Sequence, residues 1–260
     1  MDIDFSWAFA ALCALAFFAG FVDSVIGGGR LIQVPALLVF LPGASVATVF
    51  GTNKIISLAG TSVALSQIAK QVSVPWKSIL PAAIFAAVFA FFGARAVTLI
   101  DPKLLKPIIL ILLIGVAIYT FIKKDFGNLH QPKFAQHHER GVAIAVGIVL
   151  GFYEGFFGPG TGSFLIFAFV GLLGFNFLTA SASAKVVNIT TNIAATIWFA
   201  WSGNILYQLA IPLALCNVAG AWFGARMAIA KGSGFLRVFF LVIISALMAR
   251  FAWDFLVTPA

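Results

Sequence analysis

The sequence predicts an all-α polytopic membrane protein with about ten transmembrane segments, some short or re-entrant, in two inverted five-segment repeats. Three observations carry that expectation: too little charge to cover a water-facing surface, apolar runs of bilayer length, and a self-match of the two halves at one offset. Of 260 residues, 62% are hydrophobic and 9% are charged, whereas a soluble domain carries roughly 25% charged residues. The solvent to which such a surface is matched is lipid.

A helix needs about 20 apolar residues to cross the hydrocarbon. Apolar runs lie near 8–26, 31–43, 47–69, 78–100 and 104–122, and again near 141–157, 163–178, 183–201, 205–229 and 235–253. The second run is short, and Gly27, Gly28 and Gly29 separate it from the first. That pair reads either as two tilted spans or as a hairpin that re-enters with its tip at mid-membrane. Between the halves, the hydrophilic stretch 123–140 carries Lys123, Lys124, Lys133 and Arg140 against Asp125 and Glu139. The positive-inside rule makes it cytoplasmic. The expected organisation is a first repeat over 1–122, a cytoplasmic linker over 123–140 and a second repeat over 141–260.

Counting from the linker, the Lys70–Lys77 and Lys231–Arg237 loops are cytoplasmic, and the Asp101–Lys106 and Ser202–Asn204 loops are external, as is the acidic N-terminus. Trp7, Trp76 and Tyr207 fall near the expected interfaces, as an aromatic belt requires, and Arg95 and Arg226 are expected to be interfacial anchors. Met1-Asp2-Ile3-Asp4 offers no basic n-region, so no removable signal peptide is expected. The net charge of +8 is ascribed to basic residues kept on the cytoplasmic side rather than to nucleic-acid binding. Cys13 and Cys216 sit in apolar runs without metal-ligand spacing. His130, His137 and His138 belong to the linker. Neither a metal nor a cofactor is expected.

The halves align at an offset of 131 residues. Gly20-Phe21 matches Gly151-Phe152, Asp23 matches Glu154, Gly27 and Gly29 match Gly158 and Gly160, and Lys54 matches Lys185. Gly43, Thr48 and Pro81 match Gly174, Thr179 and Pro212, and Phe92-Gly93-Ala94-Arg95 matches Phe223-Gly224-Ala225-Arg226. An ungapped register that pairs acids with acids, lysines with lysines and glycines with glycines is a duplication. Five segments per half is an odd number, so the second copy enters from the opposite side. Inverted repeats are a recurring plan of secondary transporters, with the substrate near the midplane between them.

Each half opens with an acid followed by a glycine-rich break: GFVDSVIGGGRLIQVP from Gly20 and GFYEGFFGPGTGSFL from Gly151. Glycines and Pro159 stop a helix, and the amides of a helix that restarts there would face an oxyanion. Thr161 and Ser163 offer hydroxyls and Gln33 an amide, with Gly162 between them. The alternative is close helix packing on small residues. Farther on, Lys54, Ser57 and Thr61 share one helix face, next to Asn53, and Lys185, Asn188 and Asn192 share its counterpart. Each lysine is either a site cation or a snorkelling anchor. Asp23 and Glu154 are candidates for proton coupling or for structural ion pairs. Lys54 with Asp23 and Lys185 with Glu154, or the crossed pairs, are the partners expected.

These motifs resemble the TauE/SafE sulfite exporter family over nearly the whole chain. The resemblance rests on AGFVDSVIGGG (Ala19–Gly29), LIQVPAL (Leu31–Leu37), GTNK (Gly51–Lys54), GFYEGFFGPGTGSF (Gly151–Phe164) and FGARMA (Phe223–Ala228). It implies a membrane transporter of sulfur-containing anions such as sulfite or organosulfonates. The first motif usually runs to four glycines, and here Arg30 takes the fourth position opposite Thr161 of the second half. A guanidinium suits an oxyanion, but Arg30 could equally plug the break by pairing with Asp23 or Glu154.

The resulting expectation is a secondary transporter of the inner (cytoplasmic) membrane for a small anion. Arg30, Lys54 and Lys185 supply charge, and Gly27, Gly28, Gly29, Gln33, Asn53, Ser57, Gly158, Gly160, Thr161, Gly162, Ser163, Asn188 and Asn192 line the seat. Its partners are the anionic substrate and the lipid bilayer, with a homo-oligomer open. A passive channel and an accessory subunit are the alternatives. A membrane-embedded enzyme ranks below them, because no nucleophile–histidine pairing is seen in the spans. No GxxxxGK[ST] loop occurs, so direct ATP drive is not expected.

Overall fold

The computed structural model describes residues 7–100 and 136–231. Among these residues the chain forms eight helices and no strand. The first half contains α1 (Trp7–Ile26), α2 (Arg30–Phe40), α3 (Val46–Ile68) and α4 (Trp76–Leu99). The second contains α5 (Gln136–Phe156), α6 (Thr161–Gly171), α7 (Phe177–Trp201) and α8 (Tyr207–Lys231). The runs expected at 104–122 and 235–253 lie outside the described residues, as does 123–135 of the linker. Its last five residues, Gln136 to Arg140, belong to α5. Glu139 lies in the first turn of that helix, where a carboxylate complements the positive end of the dipole.

α1, α4 and α8 are each long and apolar enough to cross a membrane. α2 and α6 have 11 residues each, which rise about 16 Å, roughly half the thickness of a hydrocarbon core. Neither can span it as a helix. Of the two readings of the short second run, a re-entrant arm fits this length.

The duplication is visible in the element boundaries. α2, α3 and α4 begin at Arg30, Val46 and Trp76, and α6, α7 and α8 begin 131 residues later at Thr161, Phe177 and Tyr207. Even the caps correspond. The Ser45 side chain accepts from Thr48 N–H at the start of α3, and the Asn176 side chain accepts from Thr179 N–H at the start of α7. Each satisfies one of the donors that a helix start leaves free.

Contacts between the halves are reciprocal under this offset. Gly93 abuts the backbone of Phe152, and Gly224 abuts that of Phe21. Gly151 meets Ala86, and Gly20 meets Asn217. Gln67 donates to the Trp222 carbonyl at 3.5 Å, and the matching pair, Trp198 and Phe91, stack edge-on at 5.3 Å. Each contact is repeated with the two halves exchanged.

Small residues make this approach feasible. Ala82, Ala86, Ala90 and Gly93 of α4 face Gly147, Gly151 and Gly155 of α5. A Cβ on Gly151 would lie 2.6 Å from Ala86 Cα, so the helices touch backbone to backbone. In lipid such packing, rather than apolar burial, drives helices together. The opposite face of α4 exposes Leu80, Ile84, Val88 and Phe92, the stripe that suits hydrocarbon. Trp7, Trp76 and Tyr207 are the first residues of α1, α4 and α8 and are exposed. Arg95 and Arg226 are also exposed and sit over the rings of Trp198 and Trp222, at 5.6 and 3.7 Å, where cation–π attraction holds them.

Candidate functional site

The two glycine breaks meet. α1 ends at Ile26, and Gly27 turns the chain at φ 76° before α2 begins at Arg30. α5 ends at Phe156, and Gly158 and Gly160, at φ 92° and 84°, lead into α6. A side chain at Gly27 would meet the Gly162 carbonyl carbon at 2.6 Å and its Cα at 2.9 Å. Ser163 Oγ of α6 donates to the Ile26 carbonyl at 3.0 Å, which stitches one break to the other. Neither α2 nor α6 has a side-chain cap on its first turn.

All the buried charge among the described residues belongs to these breaks and the helices behind them: Asp23, Arg30, Lys54, Glu154 and Lys185. The lysines are not snorkelling anchors, since Lys54 and Lys185 are each 2% exposed. Each reaches across to the other half, but only one of the crossed ion pairs, Lys54 with Glu154, is formed. Lys54 Nζ donates to Glu154 Oε1 at 2.8 Å and to the Glu154 carbonyl. Lys185 Nζ donates to the Asp23 carbonyl at 3.1 Å. No carboxylate among the described residues lies within ion-pair distance of Lys185.

Arg30 pairs with Glu154 Oε1, the oxygen that Lys54 also uses, and donates to the Gly158 carbonyl at 3.4 Å. Its position explains the need for that partner. A cation in the first turn of α2 faces the positive end of a helix dipole, and a buried guanidinium requires a counter-charge. Of the two roles open to it, the structure displays the plug: Arg30 ties the first break to the acid of the second. Asp23 Oδ2 accepts from Thr61 at 3.2 Å.

Several expected ligands are engaged with the protein itself. Thr161 Oγ1 donates to the Gly158 carbonyl at 2.8 Å, and Gln33 Oε1 accepts from Asn217 at 3.4 Å. Gly28 and Gly29 lie inside the first break, where Gly29 abuts the Ala19 carbonyl, and Ser57 is buried on α3. Other groups are buried without a hydrogen-bond partner among the described residues. They include Asn188 Oδ1, both side-chain polar atoms of Asn192, Asn53 Oδ1, Ser181 Oγ, Arg30 Nη2, Asp23 Oδ1 and Glu154 Oε2. Buried polar atoms are normally satisfied; these are not, and they lie on α1, α2, α3, α5 and α7. Ser181 lies one turn before Lys185 on α7, and Asn217 lies on α8. Sequence reasoning passed over both, although polar residues inside an apolar run were the available signal.

The sulfite exporter TauE/SafE family model matches residues 12–251. The chain is 36% identical to "Probable membrane transporter protein ORF9" of Sinorhizobium sp, over 94% of this chain and 92% of that protein. It is 32% identical to a "Probable membrane transporter protein" of Haemophilus influenzae over 94% of each chain. With "Probable membrane transporter protein YfcA" of Escherichia coli it shares 31% identity, over 92% of this chain and 88% of the relative. No solved structure matches. A helical, membrane-embedded chain whose family model extends over nearly its whole length, and whose relatives at this identity carry transporter names, belongs to the sulfite exporter TauE/SafE family of membrane transporters.

Proposed function

We propose that the protein is a multi-pass secondary transporter of the inner (cytoplasmic) membrane that moves a small sulfur-containing anion, of sulfite or organosulfonate type, by proton-linked alternating access. The reading rests on one observation. Lys185 is buried with a single carbonyl as its hydrogen-bond acceptor among the described residues, on the α7 face that also carries the unpartnered Oδ1 of Asn188 and the unpartnered amide of Asn192. An ammonium has three donors, so two remain for a ligand. Oxygens of a sulfite or sulfonate group match those donors, and the unpartnered Asn192 Nδ2 donates to the remainder. Gly27, Gly29, Gly158, Gly160 and Gly162 let the two breaks close on one another beside this seat. Arg30 and Lys54 flank it, with Asp23 and Glu154 as the proton-carrying groups.

Two inverted five-segment repeats are part of this reading. Reciprocal contacts support a two-fold relation between the halves, and an odd number of segments in each would turn that relation into an inversion. Rocking of one half on the other then exposes the seat to either side. The test is uptake of labelled sulfite or methanesulfonate by vesicles holding the purified protein. Saturable counterflow that responds to a pH gradient is expected. Flux that is linear in concentration and blind to a pH gradient means a passive pore and removes the coupled mechanism.

A further inference from the structure

Building on that reading of the seat, we infer the charge of its passenger: one net negative charge is carried per site, so a monovalent anion binds alone and a divalent anion binds together with one proton. The buried charged groups among the described residues are three cations, Arg30 of α2, Lys54 of α3 and Lys185 of α7, and two carboxylates, Asp23 of α1 and Glu154 of α5. One positive charge is left over. In a low-dielectric interior an unmatched charge is costly until something of opposite sign joins it.

The surplus has an address. Glu154 is occupied by both Arg30 and Lys54, whereas Lys185 has no carboxylate within ion-pair distance among the described residues, interacts with the Asp23 charge only at longer range, and lies beside Asn188 and Asn192 with unused polar atoms. The nearby Tyr153 hydroxyl is committed to the Pro159 carbonyl at 2.8 Å and adds no charge. A singly charged sulfonate-type group therefore neutralises the site by itself. A doubly charged group overshoots by one, and a proton must come with it. Asp23 is the group that takes this proton, because it has no ion-pair partner among the described residues and its Oδ1 is unpartnered.

The surplus arises from asymmetry between the copies. Arg30 stands where the second half has the neutral Thr161. Removing Arg30 alone would bring the sum to zero, and removing the Asp23 charge alone would raise it to two.

The experiment is calorimetric titration of the purified full chain with methanesulfonate and with sulfate, whose charges are fixed near neutral pH. It is repeated in buffers of different ionisation enthalpy to count protons taken up on binding, which is the linkage quantity. Wild type is expected to bind methanesulfonate without net proton uptake and to bind sulfate with about one proton per ion, or to reject sulfate. Arg30→Gly is expected to bind methanesulfonate with about one proton, and Asp23→Asn to bind sulfate with none. Sulfate binding by wild type without a proton, or an unchanged proton count in the variants, overturns the charge inference and leaves the transporter reading intact. Failure of wild type to bind any small anion overturns the transporter reading and the inference with it.

Discussion

Gly27→Ala tests the contact on which the site is built. Two separate costs add at this position. The backbone holds φ at 76°, and a left-handed conformation costs an L-residue about 1–2 kcal/mol. The new methyl carbon would also sit 2.6 Å from the Gly162 carbonyl carbon and 2.9 Å from Ser163 N, and both are backbone atoms that cannot rotate away. Overpacking of this kind costs about 1–3 kcal/mol. The sum, roughly 2–5 kcal/mol, corresponds to a melting point lower by about 4–20 °C on the scale of soluble chains of this size. Thermal unfolding in detergent, followed by the fluorescence of the six tryptophans, reads it directly. Two controls share the chemistry without the clash. A Cβ at Gly28 meets nothing nearer than Ser163 Oγ at 3.6 Å, so Gly28→Ala should shift stability by ~1 kcal/mol or less. Gly141 in α5 has nothing within 4 Å, so Gly141→Ala should stabilise by about 0.5–1 kcal/mol through helix propensity. A Gly27→Ala protein that melts no lower than these controls would refute the backbone contact between the breaks.

Glu154→Gln leaves Arg30 and Lys54 buried without their shared carboxylate and should cost about 3–5 kcal/mol; a melting curve that overlays wild type would mean the triad is not formed in the native protein. Lys185→Met removes a cation that has no carboxylate within ion-pair distance among the described residues, so stability should fall by less than about 2 kcal/mol, while the upward shift in melting temperature that the proposed seat predicts for wild type in saturating sulfite should be absent. Retention of that shift would take Lys185 out of the seat. Ser45→Ala deletes the cap that accepts from Thr48 N–H and should cost about 1 kcal/mol, measured by the same unfolding assay.

Much of the architecture was legible because periodic apolar runs and glycine punctuation are local signals. The boundaries read at 8–26 and 47–69 fall within one residue of α1 and α3, and the offset of 131 recurs in the helix starts. The run read at 163–178 was less legible. α6 stops at Gly171, and Gly174 then turns at φ 77°, a conformational choice hidden inside an apolar string. Partner choice could not be read at all. Lys54 and Lys185 each had two acids in prospect, and only tertiary packing decides that both cross to the other half. Arg30 is similar: its donor chemistry suited an anion or an acid equally, and the proximity of Glu154 settles the pairing.

The reciprocity of the contacts between halves has a consequence for what a single fused chain can hold. Two identical copies related by a dyad must present every ionisable group twice, so the formal charge at their shared centre is always an even number. Linking the copies in one polypeptide lifts that parity rule. Arg30 in one copy and Thr161 in the other is a difference that no homodimer could maintain, and it makes an odd total reachable.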